Sequence, residues 1–300
     1  MATLPVSQQE VRRIYSDLAD EVSRREDRLG EELPVDTTAD IPSKLRDAVT
    51  NWQTGRKSLR TVPACNAFAR QCTEPVPEAI KELLTGLDAI INVLDDIIDT
   101  RNLSTQAKVA LTLNAAFSSV LMVENCPAEA RVDINDILLD YFTAVFQIPL
   151  VERELFDDIR NASSPRLQQN AAESFYAYRS RDIDAFARIP ATMMDVDPAA
   201  QERILEDLRT YRGRRLLFKD ITDVERDIAD GDTTPVIYFL QTYDRTEDVV
   251  EAIEDLHARF TYSDRGWRNY GTILEDLEDP PEDLHSVIRR TQDAIFEPAV

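Results

Sequence analysis

An all-α helical bundle is the fold class this sequence predicts, on three observations. Only 7 glycines occur in 300 residues, so long stretches carry no turn signal. Along those stretches apolar residues recur at helical spacing, and no segment shows the strict alternation of a half-buried strand. Hydrophobic residues make up 43% of the chain, enough for a sizeable core. No internal repeat divides the sequence. Short polar links set neighbouring helices antiparallel, which predicts one domain over residues 1–300 with roughly ten helices.

The elements follow in order. Residues 7–29 read as a charged amphipathic helix, with Val11, Ile14, Tyr15, Leu18 and Val22 close to one face. A polar, proline-bearing link completes residues 30–43, and helical patterns resume at Lys44 and after "TEPVPEA", where Pro77 suits an early helical position. Segment 78–99 is strongly apolar on one side, and "LSTQAKVALTLNAAFSSVLMV" has a buried-helix pattern. Further helices are expected over 133–159 and 166–194, the second interrupted near Pro190. Residues 198–230 form one more, stopped by "DGDTTP" through Gly231 and Pro235. Helices over 246–261 and 281–295 close the chain.

Charge narrows the function classes. There are 56 acidic residues against 34 basic ones, a net charge of -22. The lysines are Lys44, Lys57, Lys81, Lys108 and Lys219, so arginine carries nearly all the positive charge. An acidic surface that avoids lysine resembles cytosolic proteins of salt-in halophiles, where screening quiets self-repulsion. The balance argues against nucleic acid and anionic membrane as partners, since both reward a basic face. No apolar run approaches transmembrane length and no signal-peptide pattern opens the chain, so a cytoplasmic protein without stable membrane insertion is expected. Cys65, Cys72 and Cys126 form no CxxC pair, which fits a reducing compartment.

Three constellations carry chemistry. In "INVLDDIIDT", Asp95 and Asp99 are four apart and share a helical side, with Asp96 beside them. Carboxylates on one helical face suit Mg²⁺, a hard ion that keeps waters and accepts substrate phosphates. In "FKDITDVERDIADGDTTPVIYFL", Asp220, Asp223 and Asp227 fall at i, i+3, i+7, one helical stripe, with Ile221, Val224 and Ile228 on the next. Two such rows on different helices are suited to trapping Mg²⁺ against a diphosphate. The third constellation is basic: Arg56, Lys57 and Arg60 in "TGRKSLRT", then Arg179 and Arg181 in "YRSRD", and Arg212, Arg214 and Arg215 in "RGRR". Such groups grip a diphosphate through charge-assisted hydrogen bonds. His257 and His285 lie in polar helical surroundings and read as surface residues.

The order of these motifs resembles the trans-prenyl diphosphate synthases of the class I isoprenoid synthase superfamily, over roughly residues 50–240. The family block GGKRLRP is matched here by Gly55, Lys57, Leu59 and Arg60, with Ser58 in place of an arginine. The first aspartate-rich motif is matched by Asp95, Asp96 and Asp99. The second, roughly DDILDVEEDLERGKPTLPVIYAL, is matched by Asp220, Asp223, Val224, Glu225, Asp227, Gly231, Thr234, Pro235, Val236, Ile237 and Tyr238. The resemblance implies a single antiparallel bundle with a central cavity between the two rows, usually a homodimer. It also implies Mg²⁺ ions that hold an allylic prenyl diphosphate, and isopentenyl diphosphate as its partner substrate.

Carried over residue by residue, Asp95, Asp96, Asp99, Asp220, Asp223 and Asp227 are the implied metal ligands. Lys57 and Arg60 are the implied diphosphate contacts. The family's central lysine–threonine pair has two registers here: Arg179–Ser180, or Arg181 in the lysine's place. The arginine pair after the first motif is reduced to Arg101, and Asp88 stands near the place of a family histidine. Lys219 occupies the first aspartate of the second motif, where an ammonium supplies charge but cannot coordinate. With Asp95 and Asp99 it completes the expected catalytic set. Three readings fit these departures: a prenyltransferase, a terpene cyclase-type diphosphate-ionising enzyme, and a non-catalytic partner subunit of a prenyl diphosphate synthase.

Overall fold

The computed structural model describes residues 6–7, 9–14, 16–17, 20, 24, 60–72, 74–99, 103–263 and 284–296. Most of the amphipathic 7–29 segment, the 30–43 link, the helix expected from Lys44 and the basic residues Arg56 and Lys57 lie outside them. Every regular element among the described residues is helical, as expected: helical residues at 9–14 and 16–17 near the N-terminus, then twelve α-helices and one 3₁₀ turn from Thr61 onward.

In chain order the helices are α1 (Thr61–Cys72), α2 (Glu78–Asp99), α3 (Thr105–Glu124), α4 (Arg131–Val145), α5 (Ile148–Asn161) and α6 (Pro165–Arg179). After the 3₁₀ turn Ser180–Ile183 come α7 (Asp184–Met193), α8 (Pro198–Thr222), α9 (Val224–Asp230), α10 (Pro235–Thr242), α11 (Thr246–Arg259) and α12 (Leu284–Phe296). Chain contacts group them into two compact units, Met1–Asn135 with Ile189–Asp197, and Asp136–Arg188 with Pro198–Val300.

In the first unit, α2 buries Ile80, Leu83, Leu84, Leu87 and Ile91, the i, i+3, i+4, i+7, i+11 stripe of an amphipathic helix. It packs closely along α3: a Cβ on Gly86 would stand 2.8 Å from the Ser118 carbonyl oxygen and 2.9 Å from Met122 Cγ. Ser104 caps α3, its Oγ accepting from the Ala107 N–H at 3.1 Å. Near the N-terminus, Ser7 and Glu10 form a capping box, the Ser7 N–H donating to Glu10 Oε2 and the Glu10 N–H to Ser7 Oγ. Asn66 holds the backbone of Val6 from α1 through two hydrogen bonds.

One expectation changes on α3. Over Ala107–Glu124 the mean hydropathy is 1.3, long and apolar enough to cross a membrane by length and composition. The polar residues that interrupt it (Thr112, Asn114, Ser118 and Ser119) carry no charge, so the average stays high where no unbroken apolar run exists.

The second unit closes around Ile159, Phe175, Tyr176, Leu217, Val224, Phe239, Leu240, Leu256 and Ile288. Its helix breaks differ from those expected. The 133–159 segment divides after Val145, with Pro149 in the first turn of α5, where a missing N–H costs nothing. The 166–194 segment breaks at Ser180–Ile183, while Pro190 sits inside α7. Tertiary bonds fix that turn: Tyr141 Oη donates to the Asp182 carbonyl at 2.6 Å, and Arg212 from α8 donates Nε and Nη2 to the Asp182 carboxylate at 2.9 and 2.6 Å. Arg212 and Asp182 are both buried, so this member of "RGRR" is a structural ion pair. The expected stop after residue 230 is present, with Gly231 at φ 77°, a left-handed conformation that favours glycine. Thr234 then caps α10, its Oγ1 accepting from the Ile237 N–H, with Pro235 in the first turn.

Candidate active site

The first acidic row lies at the C-terminal end of α2. The row extends back along the helix as Asp88, Asn92 and Asp95, at i, i+4 and i+7, which share one face. Arg60, just before α1, lies against that face. Its Nη1 is 2.9 Å from Asp88 Oδ1 and 3.3 Å from Asn92 Oδ1, and its Nη2 is 3.7 Å from Asp95 Oδ2. Arg60 and Asp88 are 3% and 0% exposed, whereas the Asp95 side chain is 50% exposed. The arginine therefore connects a buried anchor to a carboxylate open to solvent.

Asp88 has a second task. Its Oδ2 accepts from the backbone N–H groups of Arg60 at 3.2 Å and Thr61 at 3.5 Å. Those are N-terminal donors of α1 with no partner inside the helix, and a carboxylate there also meets the positive end of the helix dipole. Sequence reasoning placed Asp88 near a missing histidine and gave it no role. The clue was its four-residue spacing from Asn92 on the stripe that leads to Asp95. Asp96 is half-buried beside Asp95, and Asp99 is the last residue of α2.

The second acidic row begins on α8 and continues through Asp223 into α9. Helical hydrogen bonding carries on across the break, the Asp223 N–H donating to the Lys219 carbonyl and the Asp227 N–H to the Asp223 carbonyl. Lys219, Asp223 and Arg226 thus lie along one side, with Lys219 exposed. Asp220 is buried. Its Oδ2 accepts from Tyr176 Oη at 2.8 Å and from Arg179 Nη1 at 2.9 Å, while its Oδ1 lies 3.2 Å from the same nitrogen. Arg179 also sets Nε 2.8 Å from Glu152 and lies over the Phe175 ring. Burial opposes its charge, but the Asp220 and Glu152 carboxylates outweigh burial and raise its pKa. Burial and the Asp220 charge push the Tyr176 phenol well above its ordinary value, which keeps it a neutral donor.

Arg226 holds the rest of the row. Its Nη2 is 2.7 Å from Asp223 Oδ2 and 3.1 Å from Asp227 Oδ1, so one nitrogen bridges two carboxylates. Burial raises the Asp227 pKa, and the Asp223 and Asp220 charges add to it against the pull of Arg226. Tyr176, Glu152 and Arg226 went unrecognised in the sequence; for Arg226 a signal existed in its i, i+3 spacing from Asp223. Arg181 is largely exposed, 3.9 Å from Asp184 and stacked over the Tyr178 ring.

The two rows differ in how they suit a divalent cation. Asp95 and Asp96 are neighbouring carboxylates at a solvent-open helix end, which suits an ion that takes one or two carboxylates and keeps its waters. Asp220 has both oxygens committed to Arg179 and Tyr176, and Asp223 and Asp227 already share a guanidinium nitrogen. That donor set does not suit the ion as it stands. Among the described residues no three His, Cys, Asp or Glu side chains gather into a metal-binding group.

No family model matches this chain, and no curated protein matches it. Among solved structures, a geranylgeranyl pyrophosphate synthase from Corynebacterium glutamicum, complexed with isoprenyl diphosphate and magnesium, is similar over 98% of this chain and 100% of its own. Identity is 15% and the TM-score is 0.54. The fold is that of the trans-prenyl diphosphate synthases. A geranylgeranyl pyrophosphate synthetase from the archaeon Geoglobus acetivorans is also similar, over 97% of this chain and 100% of its own, at 14% identity and a TM-score of 0.50. In this prenyl synthase fold the first acidic row stands at the end of the long helix α2, and the second runs from the end of α8 through Asp223 into the short α9. The chain then departs from the expected pattern by placing cations, Lys219, Arg226 and Arg179, within and against its second row.

Proposed function

We propose that this protein is a Mg²⁺-dependent prenyltransferase that ionises an allylic prenyl diphosphate and condenses it with isopentenyl diphosphate. The observation that carries this reading is Asp95, half-exposed beside a buried, anchored Arg60, on a fold matched along the whole chain to prenyl synthases. Asp95, Asp96 and Asp99 would hold magnesium, which supplies positive charge against the leaving diphosphate. Arg60, buried and fixed by Asp88 and Asn92, supplies positive charge behind Asp95 that needs no reorganisation when charge develops on the diphosphate. Lys57 and Arg181 add cationic contacts. Lys219 is exposed with no ion-pair partner among the described residues, and it contributes a point charge at the second row. The C–O bond to the diphosphate breaks with its electron pair, and the alkene of isopentenyl diphosphate attacks the allylic cation. Loss of a proton then completes the longer diphosphate.

The active form is a homodimer in the cytoplasm, on this reading. Val109, Val120 and Val123 are exposed on α3, and residues 109–123 contain no charged side chain. A chain of net charge -22 meets a copy of itself at least cost where charge is absent.

One observation favours a second reading, a non-catalytic partner subunit of a prenyl diphosphate synthase: the second row is neutralised by arginines. Incubation in high salt with Mg²⁺ and allylic diphosphates of several lengths decides between them. Longer diphosphates that require isopentenyl diphosphate support the transferase. Hydrocarbon or alcohol released without that second substrate indicates a cyclase instead. No turnover alone, but enhanced turnover by an added synthase, indicates the partner subunit.

A further inference from the structure

We propose that Arg226 takes the position of a divalent cation between Asp223 and Asp227, so that the second acidic row is a metal-independent element bridged from within. The inference deepens the reading above by confining divalent ions to the first row, although its test does not depend on turnover.

The geometry is that of a bridging cation. A single nitrogen, Arg226 Nη2, lies 2.7 Å from Asp223 Oδ2 and 3.1 Å from Asp227 Oδ1. A metal joining the same carboxylates would have to occupy that space. The third carboxylate offers no alternative, since Asp220 is buried and accepts from both Tyr176 and Arg179. Hydrated magnesium gives up water reluctantly and needs room for what it keeps, which a buried, doubly bonded carboxylate does not provide. Much of the charge is already offset as well: Arg179 meets both Asp220 and Glu152, Arg226 meets Asp223 and Asp227, and Lys219 is their neighbour in sequence. Arg226 also keeps Nε and Nη1 uncommitted among the described residues, on a side chain 62% exposed. These N–H groups, with the Lys219 ammonium, are suited to an anionic ligand such as a diphosphate.

Binding of Mn²⁺, followed by the electron paramagnetic resonance signal of the free ion, tests this on the full chain. Folding of each variant is checked by circular dichroism and thermal melting. The wild type and the Asp223→Asn/Asp227→Asn variant should bind equal numbers of Mn²⁺ ions. Arg226→Gln should gain one ion, and combining it with the two asparagines should remove that ion. Loss of an ion from the Asp223→Asn/Asp227→Asn variant would overturn the proposal, and so would an Arg226→Gln protein that gains none. Insensitivity to Asp95→Asn/Asp96→Asn would count against the proposed transferase site and leave the Arg226 bridge standing.

Discussion

Arg60 and Asp88 form a buried ion pair, Nη1 to Oδ1 at 2.9 Å, between the start of α1 and the middle of α2. Removing one member strands a charge that folding has taken out of water. Asp88→Ala is therefore expected to cost about 3–5 kcal/mol, whereas Arg60→Met with Asp88→Leu should cost far less. Urea unfolding of the three proteins checks this. Equal losses in the single and double variants would show that the pair is not coupled.

Exchange of Asp95 and Asp96 for asparagine is expected to lower kcat by at least about 10²-fold while the thermal midpoint hardly moves, since Asp95 is half-exposed. Lys219→Asp should also reduce turnover if the ammonium works beside the diphosphate. A gain in turnover would mean that the native second row limits the enzyme.

Val120 stands at 49% exposure on the uncharged face of α3. Val120→Glu is expected to convert a dimer to a monomer, read by light scattering after gel filtration in high salt. A wild type that already runs at the mass of one chain would reject this interface.

His257 is half-buried beside the Phe218 ring, with centroids 5.2 Å apart, and is not the surface residue expected from its polar neighbours. Burial first, and the Arg214 charge second, lower its pKa below the ordinary value of 6.5. The unfolded chain thus binds the proton more readily than the folded one. Stability from this group is complete above the unfolded pKa and falls as pH drops below it toward the folded value. His257→Gln should flatten the pH dependence of the thermal midpoint between about pH 5 and 7. An unchanged slope would assign it to other groups.

Cys65 is buried in α1, and desolvation pushes its thiol up to about 12. Only thiolate reacts with disulfide reagents, so Cys65 should label at the rate of unfolding, after the partly buried Cys72 and Cys126. Mass spectrometry of time-resolved labelling gives that order.

The sequence alone determined that the chain is helical and where its capped and stopped ends fall, because periodicity, capping residues and stop signals act within a few residues of one another. Gly231, Thr234 and Pro235 were legible for that reason, and so was the ordering of motifs that led to the fold. The state of the site was decided by partners distant in the chain. Arg60 meets Asp88 across 28 residues, Arg179 meets Asp220 across 41, and Tyr176 meets Asp220 across 44. The break at Ser180–Ile183 likewise depends on Tyr141 and Arg212. A carboxylate reads the same in sequence whether it faces water, a guanidinium or a phenol. Only tertiary packing sets which of these it meets, and so leaves the Asp95 side chain half-exposed while Asp220 is buried against Arg179 and Tyr176.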